Sequence, residues 1–245
     1  GTEEVLNGNF SQEGSELVTN GDFSNGSTGW NYQLGWTFDN NQAHFENFGT
    51  SNKNIWQSVL TTGKWYKLTF EITSISSGYI RNVNSSVTDD TQFSTVGVHT
   101  QYFKAESIQL YLKASNDANL SIDNVSVKEV GQNWELGSGW TIGDDKAVFD
   151  GGANSNLTQN NILVSGKAYK ITYTILDYVG GSVRFRANLV NGATNFGNGT
   201  YTDYIVAAGA VFKLQALNNF NGSITNISVK EVGQDWTLIN GSISD

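Results

Sequence analysis

The fourteen residues Ser121–Trp134, SIDNVSVKEVGQNW, return at Ser223–Trp236 as SITNISVKEVGQDW, identical at eleven of fourteen positions. A match of this length makes the chain two copies of one unit, and every other feature is read against that duplication. Positions that agree between the copies maintain the fold. Positions that differ are where a specific function can sit. Trp30 aligns with Trp134 and Trp36 with Trp140, 104 residues on, and Gly63 of GKWYKLTFEI aligns with Gly166 of GKAYKITYTI, 103 on. The closing strand is 102 on, a drift that single deletions in turns absorb. Each copy is therefore about a hundred residues, enough for a domain with its own core.

The division this predicts is an N-terminal arm over residues 1–14, a module over 15–131 and a second module over 132–233. Residues 234–245, with WTLINGSISD from Trp236, read as the start of a third repeat or a C-terminal arm. Leu6–Phe10, LNGNF, echoes Thr19–Phe23, TNGDF. The chain begins with Gly1 and has no Met, so both ends are expected to be cut from a longer array or a larger protein.

Helical periodicity is nearly absent. Short alternating runs bounded by Gly, Asn, Asp and Ser predict antiparallel strands throughout. In WYKLTFEIT, Tyr66, Leu68, Phe70 and Ile72 share the inward face, with Trp65, Lys67, Thr69 and Glu71 outward. Tyr169, Ile171, Tyr173 and Ile175 repeat the inward set in the second copy. Ile108, Leu110 and Leu112 point inward with Gln109, Tyr111 and Lys113 outward; Val183, Phe185 and Ala187 oppose Arg184 and Arg186. Asp89–Asp90, Asp144–Asp145, Gly151–Gly152 and Gly180–Gly181 read as turns. The expected fold is all-β, two tandem jelly-roll β-sandwich domains, with an immunoglobulin-like sandwich as the competing arrangement.

With no Cys, neither a disulfide framework nor thiol chemistry is available. No segment is long and apolar enough to span a membrane as a helix. A net charge of −9 argues against a nucleic-acid partner, which requires clustered Lys and Arg. Only 15% of residues are charged, a neutral hydrogen-bonding surface that suits an extracellular or virion protein. His44 and His99 are the only imidazoles, and His44 corresponds to Val148 in the second copy, so catalysis has few parts to work with and the chain is read as a non-enzyme.

Binding of polysaccharide or glycan fits better. Sugars offer apolar C–H faces to aromatic rings and hydroxyl edges to polar side chains. Trp30, Trp36, Trp134, Trp140 and Trp236 recur at equivalent places and read as core or junction residues. Trp65, Trp56 and Tyr111 do not recur: Ala168, Thr158 and Lys213 replace them. Trp65, Trp56 and Tyr111, with Lys67 and Arg81, are the expected ligand platform of the first copy. Arg184 and Arg186, with Lys170 and Lys213, form a basic strip in the second, suited to an acidic glycan or carboxylate. A structural subunit that self-assembles into a virion, fibre or filament is the alternative, because strand-like terminal arms can complete a neighbour's sheet.

The opening ELVTNGDFSNGSTGW at Glu16–Trp30 and the ending SIDNVSV at Ser121–Val127 resemble the jelly-roll carbohydrate-binding modules found beside xylanases and glucanases. The repeated VKEVGQNW and GKAYKITY are similar to modules in bacteriophage tail and fibre proteins. The resemblance implies sugar recognition and a structural calcium site built from the opening and closing segments. Asp123 matches the closing Asp; Ser24 replaces the opening Glu, so Asn20 or Asp22 would stand in. Thr225 replaces Asp123 in the second copy, so calcium is expected in the first module alone.

Overall fold

A computed structural model of the chain describes residues 1–47, 49–84 and 91–233. Asp89–Asp90 and the expected third repeat over 234–245, Trp236 included, lie outside the described residues. The chain forms two compact units, Glu13–Val130 (module 1) and Gly1–Gln12 with Gly131–Asp245 (module 2).

Module 1 runs through β1 (Glu13–Glu16), β2 (Asn31–Tyr32), β3 (Trp36–Asp39), β4 (Gln42–Glu46), β5 (Lys53–Ser58), β6 (Trp65–Ser77), β7 (Ile80–Asn82), β8 (Gly97–Lys104), β9 (Gln109–Ala114) and β10 (Asn119–Val130). One antiparallel sheet has the order β3-β4-β10-β6-β8, with β1 also on β10; the other has the order β2-β5-β9-β7. The chain crosses repeatedly between them, as a jelly roll does. Their inner faces supply one apolar cluster that includes Phe45, Tyr66, Phe70, Leu112 and Val127. Tyr66, Leu68, Phe70 and Ile72 are all sealed, and Trp65, Lys67, Thr69 and Glu71 alternate with them on the outer side.

Module 2 repeats the plan with β11 (Glu135–Leu136), β12 (Trp140–Gly143), β13 (Lys146–Asp150), β14 (Ser155–Gln159), β15 (Ala168–Ala187), β16 (Val190–Asn195), β17 (Gly199–Val206) and β18 (Phe212–Val232). Here two long strands pass from one layer to the other. The first half of β15 pairs with the second half of β18, and the second half of β15 with the first half of β18. Tyr169, Ile171, Tyr173 and Ile175 are buried, as are Val183, Phe185 and Ala187. Burial pushes the Tyr173 hydroxyl up to about 12, against the hydrogen bond it accepts from Asn195 Nδ2 at 2.8 Å. The hairpins β3–β4 and β12–β13 turn through Asn40–Asn41 and Asp144–Asp145, all four at positive φ, the geometry that matches the twist of paired strands.

Four expectations are corrected. Gly180–Gly181 is a bulge inside β15, not a turn: Gly181 sits at φ +75, and a Cβ there would meet Phe220 Cα at 2.3 Å. Ile108 precedes β9 and is 53% exposed, because the inward phase begins only at Leu110. Lys170 lies on the first half of β15, between Tyr204 and Lys230, away from the basic strip. Residues 1–14 are not a separate arm. Glu13 and Gly14 belong to β1, and Gly1–Gln12 forms the opening of module 2.

That opening is held as module 1 holds its own. Glu16 Oε1 accepts from Val127 N–H at 2.9 Å, and its other oxygen accepts from Ser126 Oγ. Glu3 Oε1 accepts from Val229 N–H at 2.6 Å and Oε2 from Ser228 Oγ at 2.6 Å. Gln57 bonds both backbone groups of Thr19; Gln159 bonds both backbone groups of Leu6. Trp30 Nε1 donates to Asn20 O at 2.9 Å, and Trp134 Nε1 donates to Asn7 O at 3.0 Å. Phe23 packs on Trp30 with ring centroids 5.4 Å apart, and Phe10 on Trp134 at 5.3 Å. A Cβ on Gly21 would sit 1.9 Å from Val125 O, and one on Gly8 1.9 Å from Ile227 O, so neither position admits a side chain.

Candidate functional site

Strand pairing sorts the expected ligand residues into three groups. Trp56 on β5 is directly opposite Tyr111 on β9, their ring centroids 5.7 Å apart. Both are half-buried, because their neighbours Ile55, Leu110 and Leu112 carry the core and leave these rings on the outer side. One row along, Asn54 pairs with Lys113 and Lys113 with Arg81. Asn54 Oδ1 is buried and finds no hydrogen-bond partner among the described residues. The outer face of β2-β5-β9-β7 thus carries two aromatic rings beside two cations and an amide.

Trp65 and Lys67 are not part of that face. They lie on the outer side of the other sheet, where Trp65 pairs with Val130 and Lys104 and is half-buried. The Lys67 ammonium is held by Glu13 at 2.6 Å, and Lys128 reaches the other Glu13 oxygen at 2.9 Å. Those two hydrogen bonds keep the Glu13 carboxyl below the ordinary carboxylate range. Alternation places Trp65 outward, as expected, but it does not bring it to Trp56.

In module 2 the equivalent face is polar. Arg186 pairs with Lys213 and Arg184 with Gln215. Arg184 Nε donates to Gln215 Oε1 at 2.9 Å, and Gln215 Nε2 donates to Asn156 Oδ1 at 2.8 Å. Arg186 Nε is buried and unbonded among the described residues. Thr158 and Lys213 occupy the places of Trp56 and Tyr111.

The calcium expectation meets a different arrangement. Asn20 Oδ1 accepts from Asn25 N–H at 3.0 Å, and its amide donates to Gly26 O and Thr28 O. Asp22 Oδ1 accepts from the backbone and hydroxyl of Ser24, which lowers its pKa. Burial, then the charges of Glu71 and Asp22, raise the Asp123 carboxyl despite a hydrogen bond from Asn124 N–H. Asn20 Oδ1 and Asp22 Oδ1 are thus taken by loop donors, and among the described residues no cluster of three or more His, Cys, Asp or Glu could hold a metal ion. Asn20, Asp22 and Asp123 bring two carboxylates and one committed amide oxygen, fewer than the roughly six to eight oxygen ligands that calcium takes.

One hydrogen-bonded row escaped the sequence. His44 Nδ1 meets Ser121 Oγ at 2.7 Å, and His44 Nε2 meets Asp39 Oδ1 at 2.8 Å. The order Ser–His–Asp suggests a nucleophile, but Ser121 is 7% exposed and its hydroxyl also bonds Ser74 Oγ at 2.9 Å. It sits between the paired strands β4 and β6, whose ladders take up the N–H groups that an oxyanion would need. Residues 77 positions apart carry no local signal of this contact. His99 packs against Phe70 and Phe93 and bonds Thr95 O.

No family model matches the chain, and no curated protein sequence does. Among solved structures, it is similar to a CBM22-1–CBM22-2 tandem domain from Paenibacillus barcinonensis. The two are 10% identical, with 91% of this chain and 99% of that one covered, at a TM-score of 0.36. It is also similar to the allantoicase of Saccharomyces cerevisiae, 10% identical over 76% of this chain and 80% of that one, with a TM-score of 0.33. The secreted serine protease VesC of Vibrio cholerae is 12% identical over 82% and 51%, with a TM-score of 0.30. Scores this low carry no functional argument, and two of these three proteins are named as enzymes.

Proposed function

We propose that the chain is a non-catalytic glycan-binding protein whose platform is the outer face of β2-β5-β9-β7 in module 1. The observation that carries the reading is the Trp56–Tyr111 pair, two half-exposed rings side by side on an otherwise polar sheet face. Rings so placed offer adjacent stacking surfaces to sugar C–H faces, while Arg81, Lys113 and Asn54 stand one row away for hydroxyl edges. On the matching face of module 2, Arg184, Arg186 and Lys213 suit a carboxylate or sulfate on an acidic glycan. Two weak sites on one chain would gain from linkage, since the second contact becomes intramolecular. An extracellular or virion setting goes with this reading. Trp65, on the other sheet, is a separate half-buried ring and a weaker candidate because Lys67 beside it is committed to Glu13.

The test is a glycan array probed with the wild-type chain, Trp56→Ala and Trp65→Ala. Trp56→Ala should abolish the signal with an unchanged circular dichroism spectrum, while Trp65→Ala retains it. Wild-type protein that captures no glycan, or Trp56→Ala that binds as wild type does, defeats the reading.

A further inference from the structure

Glu3–Phe10 and Glu16–Phe23 are two copies of one docking segment, thirteen residues apart, each seated on a different body. The main groups that seat them are shared, although Thr225 Oγ1 also reaches Asn9 O at 3.5 Å where module 1 has Asp123. The Glu binds a closing-strand N–H and Ser hydroxyl; Val5 and Val18 are buried; Asn7 and Asn20 turn at φ +51 and +54; Phe10 and Phe23 take φ +59 and +48. The body reads the segment through its backbone at Leu6 and through the close approach of Gly8. The docking signature is therefore Glu-x-Val-x-Asn-Gly-x-Phe, with side chains at the x positions carrying little.

The two seats differ in covalent context. Phe23 is followed seven residues later by its partner Trp30, but Phe10 is separated from Trp134 by the whole of module 1. No local chain geometry ties this segment to its body. We infer that the body of module 2 is a receptor for this segment and that a second copy of the chain can supply it, so that chains join by exchange of Gly1–Gln12. Dilute chains dock their own segment; concentrated chains dock a neighbour's. This inference is independent of glycan binding and of the Trp56 face.

Complementation between two full-length variants tests it. The acceptor carries Gly8→Val and Phe10→Ala, so its own segment cannot dock; the donor carries Trp134→Ala and Gln159→Ala, so its own body cannot receive. Each alone should lose the melting transition of module 2 and keep that of module 1, which reports folding. Mixed, they should form a 1:1 complex of twice the chain mass and regain the lost transition at about half its wild-type amplitude, because only the acceptor's body is intact. A synthetic peptide of residues 1–12 added to the acceptor provides the second measurement. It should restore the transition, and the same peptide with Gly8→Val should bind at least about tenfold more weakly, a difference of about 1.4 kcal/mol. A mixture that behaves as the sum of its parts, or a Gly8→Val peptide that binds equally well, overturns the inference.

Discussion

Glu13 stands directly opposite Val130 in the pairing of β1 with β10. Folding of module 1 therefore returns the chain close to where it left module 2, which stops at Gln12 and resumes at Gly131. Without that closure, bringing Phe10 to Trp134 means closing a loop of more than a hundred residues, which costs on the order of 2 kcal/mol more than the short loop between Phe23 and Trp30. The two modules should be coupled through this connection. Phe70 is fully buried in module 1, and Phe70→Ala should cost that module about 3–5 kcal/mol. Scanning calorimetry should then show the module 2 transition falling as well, although no residue of module 2 has changed. An unmoved module 2 transition refutes the coupling.

The matching carboxylates make a paired prediction. Glu3→Gln and Glu16→Gln each weaken hydrogen bonds to a closing-strand N–H and a Ser hydroxyl. Each should lower the melting temperature of its own module by on the order of 5 °C. Glu4→Gln, beside Glu3 and hydrogen-bonded among the described residues through its backbone N–H to Val229 O, should change little.

At the proposed platform, Tyr111 is expected to act through its ring. Tyr111→Phe should keep glycan affinity within about twofold, and Tyr111→Ala should lose about tenfold, or 1.4 kcal/mol, by calorimetric titration. Equal losses in both variants would show that the hydroxyl, not the ring, makes the contact.

Asp123 makes a prediction with a definite sign. Its carboxyl is raised by burial first and then by Glu71 and Asp22, so the folded state holds its proton more tightly than the unfolded state does. The resulting penalty is present above the folded pKa and is relieved as pH falls through it. Asp123→Asn should therefore raise the melting temperature of module 1 at neutral pH, and the gain should vanish under acid conditions. The same gain should appear with a chelator and with added calcium. A variant that is destabilised only when calcium is present would restore the cation site that the geometry disfavours.

Much of this fold is legible in the residues. The strict alternation of Trp65–Ile72 predicts which side chains β6 seals, because period two admits one assignment once one face is apolar. The Asp144–Asp145 turn is equally local. Gly180–Gly181 misleads because a glycine pair serves a bulge as readily as a turn, and what decides is Phe220, 39 residues beyond Gly181. The candidate site is half legible. Strand phase says that Tyr111 and Trp65 point outward, but phase is blind to which sheet a strand joins. Register alone puts Trp56 beside Tyr111 and sends Trp65 to the opposite layer.

By itself the sequence determined that the chain is duplicated, that it is built of alternating strands, and that LNGNF and TNGDF are versions of one segment, since these are matters of identity and short-range spacing. Only the tertiary structure decided which body each segment closes. The contact of Glu3 with Val229 spans 226 residues, and it exists because two sheets leave a seat at the end of a closing strand for a carboxylate, a bare glycine and a phenyl ring to fill.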